Sequence, residues 1–274
     1  MPLIQSPRGF SIHYNDSGSG LPVLFIHGWC MASGVWKYQH EALSAYLRVI
    51  SIDLNGHGGS GLPLNRDSGF RDYAADIEEL VTFLGLEGFV AVGWSMGAQA
   101  LISAYPALSG SLNGMVLVGA TPRFTASDSF PHALSASETA GMRAKVKRSL
   151  ERALHGFRRN ILSELPPEDL KRPVLESLLD SLPLPSRESA IDGLDALMEE
   201  DVLEILQKID SDVLIVHGSS DIICLSSASE FLQMNISGSR RFCYEGAGHA
   251  PFLTMPQRFN SDIISFARRL SDAD

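Results

Sequence analysis

Long apolar runs are missing from this chain. None approaches the ~20 residues that a membrane-spanning helix needs, and no basic stretch followed by an apolar one stands near the first residue. Neither a span nor a secretory leader is expected, and the cytoplasm is the expected compartment. Cysteine is scarce as well. Cys30, Cys224 and Cys243 are odd in number and lack metal-ligand spacing, which excludes a disulfide frame and leaves them as reduced thiols with a packing role. Positive charge is in the minority: 22 Lys and Arg against 32 Asp and Glu leave a net charge of −10, which argues against general nucleic-acid binding. Internal repeats and low-complexity tracts are absent. The remaining composition, 45% hydrophobic and 20% charged over 274 residues, is that of a soluble globular chain with one large core.

Short apolar runs alternate with amphipathic stretches along that length. Residues 9–14 alternate like a strand and break at 16–20 into a hairpin-like turn. Residues 23–26 are continuously apolar, as a strand buried on both faces must be, and 49–53 repeat that signature after a helical stretch over 35–46. A helix over 73–84 and strands over 89–92 and 114–118 follow. This order specifies an α/β fold with a mostly parallel central sheet flanked by helices. From about residue 121 to about 205 the pattern turns helical and is punctuated by seven prolines. Residues 122–204 therefore read as an inserted helical cap, or lid, on a core made of 1–121 and 205–274. Strands over 213–218 and 241–244 and an amphipathic helix over 256–270 complete the core.

The sharpest local signal is Gly93-Trp94-Ser95-Met96-Gly97, where an apolar strand turns abruptly into a small-residue helix. A serine on such a strained strand-to-helix turn is a nucleophile elbow, and glycines two residues either side remove the side chains that would collide there. A hydroxyl is a poor nucleophile at neutral pH, so Ser95 needs a base, and the base needs a carboxylate to fix its tautomer. Asp221 lies just past the strand that ends in His217-Gly218, and His249 just past the last strand, at the sheet edge where parallel strands gather functional loops. Their chain order, Ser95, Asp221, His249, is the one this kind of elbow uses for its triad. An oxyanion formed beside Ser95 needs donors. The Met96 N–H comes with the elbow, and the Trp29 N–H comes from the loop after His27-Gly28. The Trp29, Phe124 and Phe252 rings are the candidates for an apolar pocket wall. Among the other histidines, His13 and His40 read as surface residues and His132 and His155 lie in the cap without a placed carboxylate. His27, His57 and His217 each precede a glycine at a strand end and read as structural. No metal or cofactor is implied.

These motifs resemble the α/β-hydrolase superfamily. Together with Gly248-His249-Ala250-Pro251-Phe252 and the Phe124-x-x-x-Asp128-x-x-Pro131 run at the cap entry, they are similar to the esterase family of biotin synthesis that removes the methyl ester from pimeloyl-acyl carrier protein. The resemblance implies the α/β-hydrolase fold, Ser95, Asp221 and His249 as triad, Trp29 and Met96 as oxyanion donors, and a basic cap that receives the carrier protein. Two residues depart from that family's pattern. Asn55 stands where a proline or arginine is common, and Cys224 where a proline usually follows the acid.

The cap supplies an argument of its own. Between residues 141 and 160 there are seven basic side chains, Arg143, Lys145, Lys147, Arg148, Arg152, Arg158 and Arg159, against the one acid Glu151. Read as one helix, this segment turns Met142, Val146, Leu150, Ala153, Phe157 and Ile161 to the core and shows Lys145, Arg148, Arg152 and Arg159 as a basic stripe. Like charges at such spacing cost helix stability, and the chain as a whole is acidic. Arg143, Lys145, Arg148, Arg152 and Arg159 are therefore the candidates for docking an acidic partner such as an acyl carrier protein. The expectation is a serine esterase acting through an acyl-enzyme. The same triad would also serve a hydrolase of small free esters or of the carbon–carbon bond of ring-cleavage products, and a ligand receptor on the same fold is the reading of a different class.

Overall fold

The computed structural model describes residues 2–63 and 69–271. Its first half runs β1 (Leu3–Gln5), β2 (Ser11–Ser17), β3 (Pro22–Ile26), α1 (Lys37–Leu43), β4 (Arg48–Ile52), α2 (Phe70–Leu84), β5 (Phe89–Trp94), α3 (Met96–Leu108) and β6 (Leu112–Val118). Five helices follow without a strand between them: α4 (Ala136–Arg148), α5 (Leu150–Ile161), α6 (Arg172–Ser181), α7 (Arg187–Glu199) and α8 (Leu203–Leu206). The sheet resumes with β7 (Asp212–Gly218), α9 (Ser226–Asn235), β8 (Arg240–Tyr244), α10 (Pro251–Thr254) and α11 (Pro256–Ser271). Among the described residues the eight strands form one sheet in the order β1-β2-β4-β3-β5-β6-β7-β8, antiparallel only where β2 meets β1 and β4. No helix in this range is long and apolar enough to cross a membrane.

Burial follows the pattern of each strand. All six residues of β5 are buried, and β3 and β4 are buried on both faces after their first residue, so each takes neighbours on both sides and helices above and below. Each fully buried Val, Leu or Ile contributes about 1.5–3 kcal/mol to that core. Strand β2 alternates instead, with its polar residues half-exposed. The expected hairpin at residues 16–20 does not form. Strand β2 pairs with β4, Tyr14 opposite Ile52, and β3 lies beyond β4, because an alternating strand belongs toward the wet side of the sheet and a wholly apolar one inside it. Helix α9 has no counterpart in the sequence reading. Its buried face is Ala228, Ser229 and Leu232, too weak an apolar stripe to register as periodic.

The inserted segment differs from the expected single helix. Ser149, with φ −160° and ψ 103°, ends α4 and begins α5. The signal was present in the chain, a serine two residues ahead of Glu151, which is an N-terminal preference of helices. Helix α4 itself starts on a capping box, Ser135 with Glu138. Because the chain bends at Ser149, Lys145 and Arg148 on α4 do not continue in register with Arg152 and Arg159 on α5, and no unbroken basic stripe exists.

Because β3 to β8 run parallel, their carboxyl ends share one edge. That edge carries His27 after β3, Asp53 after β4, Ser95 after β5 and Gly119 after β6. The loops after β7 and β8 bring Asp221 and His249 to the same side.

Candidate active site

Ser95 caps α3 with φ 54° and ψ −117°, one of two non-glycine residues with positive φ among those described. Such a backbone is strained for any L side chain and persists only when its surroundings hold it. Here the Ser95 N–H donates to the Val118 carbonyl at 2.9 Å, while the Ser95 carbonyl accepts from Ala98 N at 2.9 Å. The two flanking glycines are required by space. A Cβ on Gly93 would stand 2.6 Å from the Gly97 carbonyl oxygen, and one on Gly97 would stand 2.4 Å from that of His27. Between residues 89 and 102, Ser95 alone is not buried. The strand and helix around it are core, and the hydroxyl stands where they part.

His249 donates from Nδ1 to Asp221 Oδ2 at 2.8 Å, and both side chains are buried. Asp221 Oδ1 accepts from the Ile223 and Cys224 N–H groups at 2.8 and 3.0 Å. Burial works against the charge on Asp221, but His249, His217 and the Ile223 N–H together outweigh it and hold the carboxyl below its ordinary value. The His249 carbonyl accepts from the Trp94 indole at 2.9 Å, so the elbow strand holds the histidine loop directly. His249 Nε2 faces the interior with no hydrogen-bond partner.

The expected oxyanion donors are both set by local geometry. Met96 is the first residue of α3, where the N–H has no partner inside the helix. The Gly28 carbonyl accepts from His27 Nδ1 at 2.8 Å and from Met31 N at 3.2 Å. In a trans peptide the following N–H points the opposite way, so these two bonds aim the Trp29 N–H away from His27. His27 is locked in that role, because its Nε2 accepts from Leu54 N at 3.1 Å. Gly28 lets the loop come close: a Cβ there would lie 3.3 Å from the Ser95 Cβ.

A cavity of about 420 Å³ opens beside Trp29 and Ile223. Its wall is mixed: Met142, Val146 and Phe157 from the insertion supply apolar surface, and Asn160 and the exposed cations Lys145 and Arg152 supply polar surface. The Trp29 indole donates to the Ala190 carbonyl at 2.9 Å and meets Phe157 edge-on at 5.0 Å, tying α7 and α5 over the loop. Neither this cavity nor the larger ones, of about 720, 560, 480 and 440 Å³, has Ser95, Asp221 or His249 on its wall.

Several expectations need correction. Phe252 does not line the cavity: it is fully buried between Trp36, at 4.2 Å, and Trp94, at 4.9 Å, because the turn into α10 points it beneath the sheet edge. Phe124 is buried too and is not part of the cavity wall. Of the basic residues, Arg143 is ion-paired with Asp195 of α7 and Arg158 is buried against Asp180 of α6. Arg159 lines a separate depression with Arg172, and Arg148 is exposed at the end of α4. His40 is not a surface residue, since its ring bridges the Ser17 and Ser51 hydroxyls at 2.8 Å each, and His13 is half-buried. Cys243 is exposed and fills no core space.

Burial lowers the values of His27 and His217, and it brings His57 down to about 3 with help from His27. A histidine lowered by folding contributes stability that is complete above the unfolded value of about 6.5 and is lost as pH falls, since the unfolded chain takes up a proton that the fold refuses. For His57 the window runs from about 6.5 down to about 3. Denaturant midpoints are expected to fall between pH 7 and pH 5, and His57→Asn should remove up to about 1.4 kcal/mol per pH unit from that slope. An unchanged slope in His57→Asn would show that His57 titrates normally in the fold.

Comparison with known proteins gives the chain's family. The sequence matches the model of the alpha/beta hydrolase family over residues 23–262, and the chain belongs to that family. A pimeloyl-[acyl-carrier protein] methyl ester esterase of Nitrosomonas europaea is 31% identical over 260 residues, covering 92% of this chain and 97% of the relative. A non-heme haloperoxidase of Rhodococcus erythropolis is 29% identical, covering 97% and 99%. Among solved structures, an esterase of Exiguobacterium antarcticum superposes with a TM-score of 0.89 at 28% identity, covering 97% of this chain and 98% of that one.

Proposed function

We propose that this member of the alpha/beta hydrolase family is a carboxylic ester hydrolase that cleaves the methyl ester of pimeloyl-acyl carrier protein through an acyl-enzyme. Ser95 Oγ attacks the ester carbonyl while His249 Nε2 takes the hydroxyl proton and Asp221 holds the imidazole. The Met96 and Trp29 N–H groups receive the oxyanion, each such donor being worth about 10²–10³ in rate. Methanol leaves with the proton from His249. Water then repeats the attack on the acyl-serine, its proton going to His249, and the free acid and Ser95 are regenerated.

The observation that carries the substrate is the cavity beside Trp29. Met142, Val146 and Phe157 on its wall suit an alkyl acyl chain, and Lys145 and Arg152 suit an anionic tether or an acidic carrier surface. The names of relatives at about 30% identity point the same way. The deciding comparison is hydrolysis of one methyl ester presented free and presented on acyl carrier protein. A clear preference for the carrier-bound ester is expected, and equal rates would favour an esterase of small free substrates.

Charge reversal separates the basic residues. Lys145→Glu with Arg152→Glu should raise KM for the carrier-bound ester on the order of tenfold, since charge complementarity acts on encounter and register. The difference should shrink as salt rises, because exposed charges are screened beyond about 8 Å at 0.15 M ionic strength. A short neutral ester should be cleaved almost as before. Equal losses on both substrates would mean damaged packing, and no loss on the carrier-bound ester would leave these side chains as a solvated face.

A further inference from the structure

Trp29 joins the oxyanion site to the insertion. Its indole is held by two helices at once: Nε1 donates to the Ala190 carbonyl of α7 at 2.9 Å, and the Phe157 ring of α5 meets the indole edge-on at 5.0 Å. Three residues further along α7, Gly193 packs so closely that a Cβ there would stand 3.1 Å from Trp29 Cδ1 and 3.0 Å from the Tyr73 hydroxyl. Trp29 is 3% exposed beneath these contacts. The backbone that carries the indole needs such support. Cys30, the next residue, has φ 56°, and the Met31 N–H closes the turn on the Gly28 carbonyl at 3.2 Å. A left-handed backbone on a side chain of this kind persists only where its surroundings over-determine it. The contacts on the adjacent indole are such surroundings.

We propose that Phe157 and Gly193 are positioning residues, which clamp the Trp29 indole so that the Trp29 N–H stays aimed beside Ser95 only while α5 and α7 are seated on the loop. The inference rests on Ser95 being the nucleophile and on the Trp29 N–H receiving the oxyanion. The insertion then does more than enclose a substrate. Asp221 and His249 are bonded to each other on loops of the core, so they stay paired when the insertion lifts. The second donor does not, and the site is complete only when closed.

The test uses p-nitrophenyl acetate, whose acyl group is too short to depend on the cavity wall, and methyl trifluoromethyl ketone, whose tetrahedral adduct with a serine places an oxyanion on the same donors. Values of kcat, KM and the ketone's Ki would be compared in wild type, Gly193→Ala, Trp29→Phe, Phe157→Leu and the double variant Trp29→Phe with Gly193→Ala, with melting curves for each. Gly193→Ala and Trp29→Phe are expected to lower kcat on the order of tenfold, the weight of one net hydrogen bond and less than the about 10²–10³ of a whole donor. KM should change little and Ki should rise in proportion to the loss of kcat. Phe157→Leu keeps bulk against the indole and should lose less. Because the first two changes act through one indole, the double variant should be no worse than the worse single one. Unchanged kcat in the folded variants would overturn the proposal, as would KM rising with kcat kept, kcat falling while the ketone binds as in wild type, or losses that multiply in the double variant. Should Gly193→Ala melt far below wild type, Phe157→Leu decides by the same readings. Failure of the underlying reading looks different: the ketone would not inhibit wild type, or hydrolysis would survive Ser95→Ala.

Discussion

Replacing Ser95 by alanine is expected to lower kcat for ester hydrolysis on the order of 10⁶-fold, the scale on which a triad nucleophile's removal registers, while the melting temperature stays the same or rises. The two halves of that expectation come from one residue. Ser95 is the single residue that is not buried between residues 89 and 102, so deleting Oγ opens no core cavity. Its backbone, at φ 54°, is held by bonds from its own N–H and carbonyl, which alanine keeps. A strained site paired with unchanged packing is what a functional constraint looks like, and alanine suffers no more from the positive φ than serine does. Activity above about one per cent in this variant would remove Ser95 from the mechanism. A large fall in melting temperature would show that the hydroxyl is part of the fold, contrary to its exposure.

What the chain reveals in advance depends on whether the cause is local. The elbow is local: five residues of fixed type make the turn, and the strand before and helix after are visible as an apolar run and a small-residue run. The parallel core is nearly as plain, because a strand buried on both faces has few polar positions to hide it, Ser51 being the buried one in β4. Asp221 and His249 could be placed because parallel strands deliver their following loops to one edge. The misplaced features depend on contacts that are distant in sequence. The partner of β2 is decided by which strand is wholly apolar, not by the turn that follows it. Phe252 reads as a pocket ring by its nearness to His249, yet Trp36, more than two hundred residues earlier, claims it. Arg143 and Arg158 read as free charge until α6 and α7 supply Asp180 and Asp195. Cys224 carries no motif. Only the folded loop sets its N–H against Asp221.

Asp221→Asn is expected to cost about 10⁴ in kcat, as the loss of the triad carboxylate does elsewhere, and the local geometry says why the amide cannot escape the penalty. Oδ1 of Asp221 faces two N–H donors, those of Ile223 and Cys224, so in the variant the amide oxygen must occupy that position. The amide NH2 is then turned toward His249 Nδ1, where it can only donate. The imidazole answers by placing its lone pair on Nδ1 and its proton on Nε2, the one nitrogen that would have to accept from Ser95. The reversed amide would set two donors against its NH2 and leave both backbone N–H groups unpaired in a buried site, a cost of about 1–3 kcal/mol for each unsatisfied group. The fold should survive, since the amide keeps the volume and the two backbone bonds. A variant with near-native kcat would show that His249 is oriented by some other group, and the acid would then have to be sought elsewhere, with Asp128 in the insertion the next residue to replace. Correct melting together with a four-order loss would tie the rate to a tautomer, which separates a triad acid from a carboxylate that merely braces the loop.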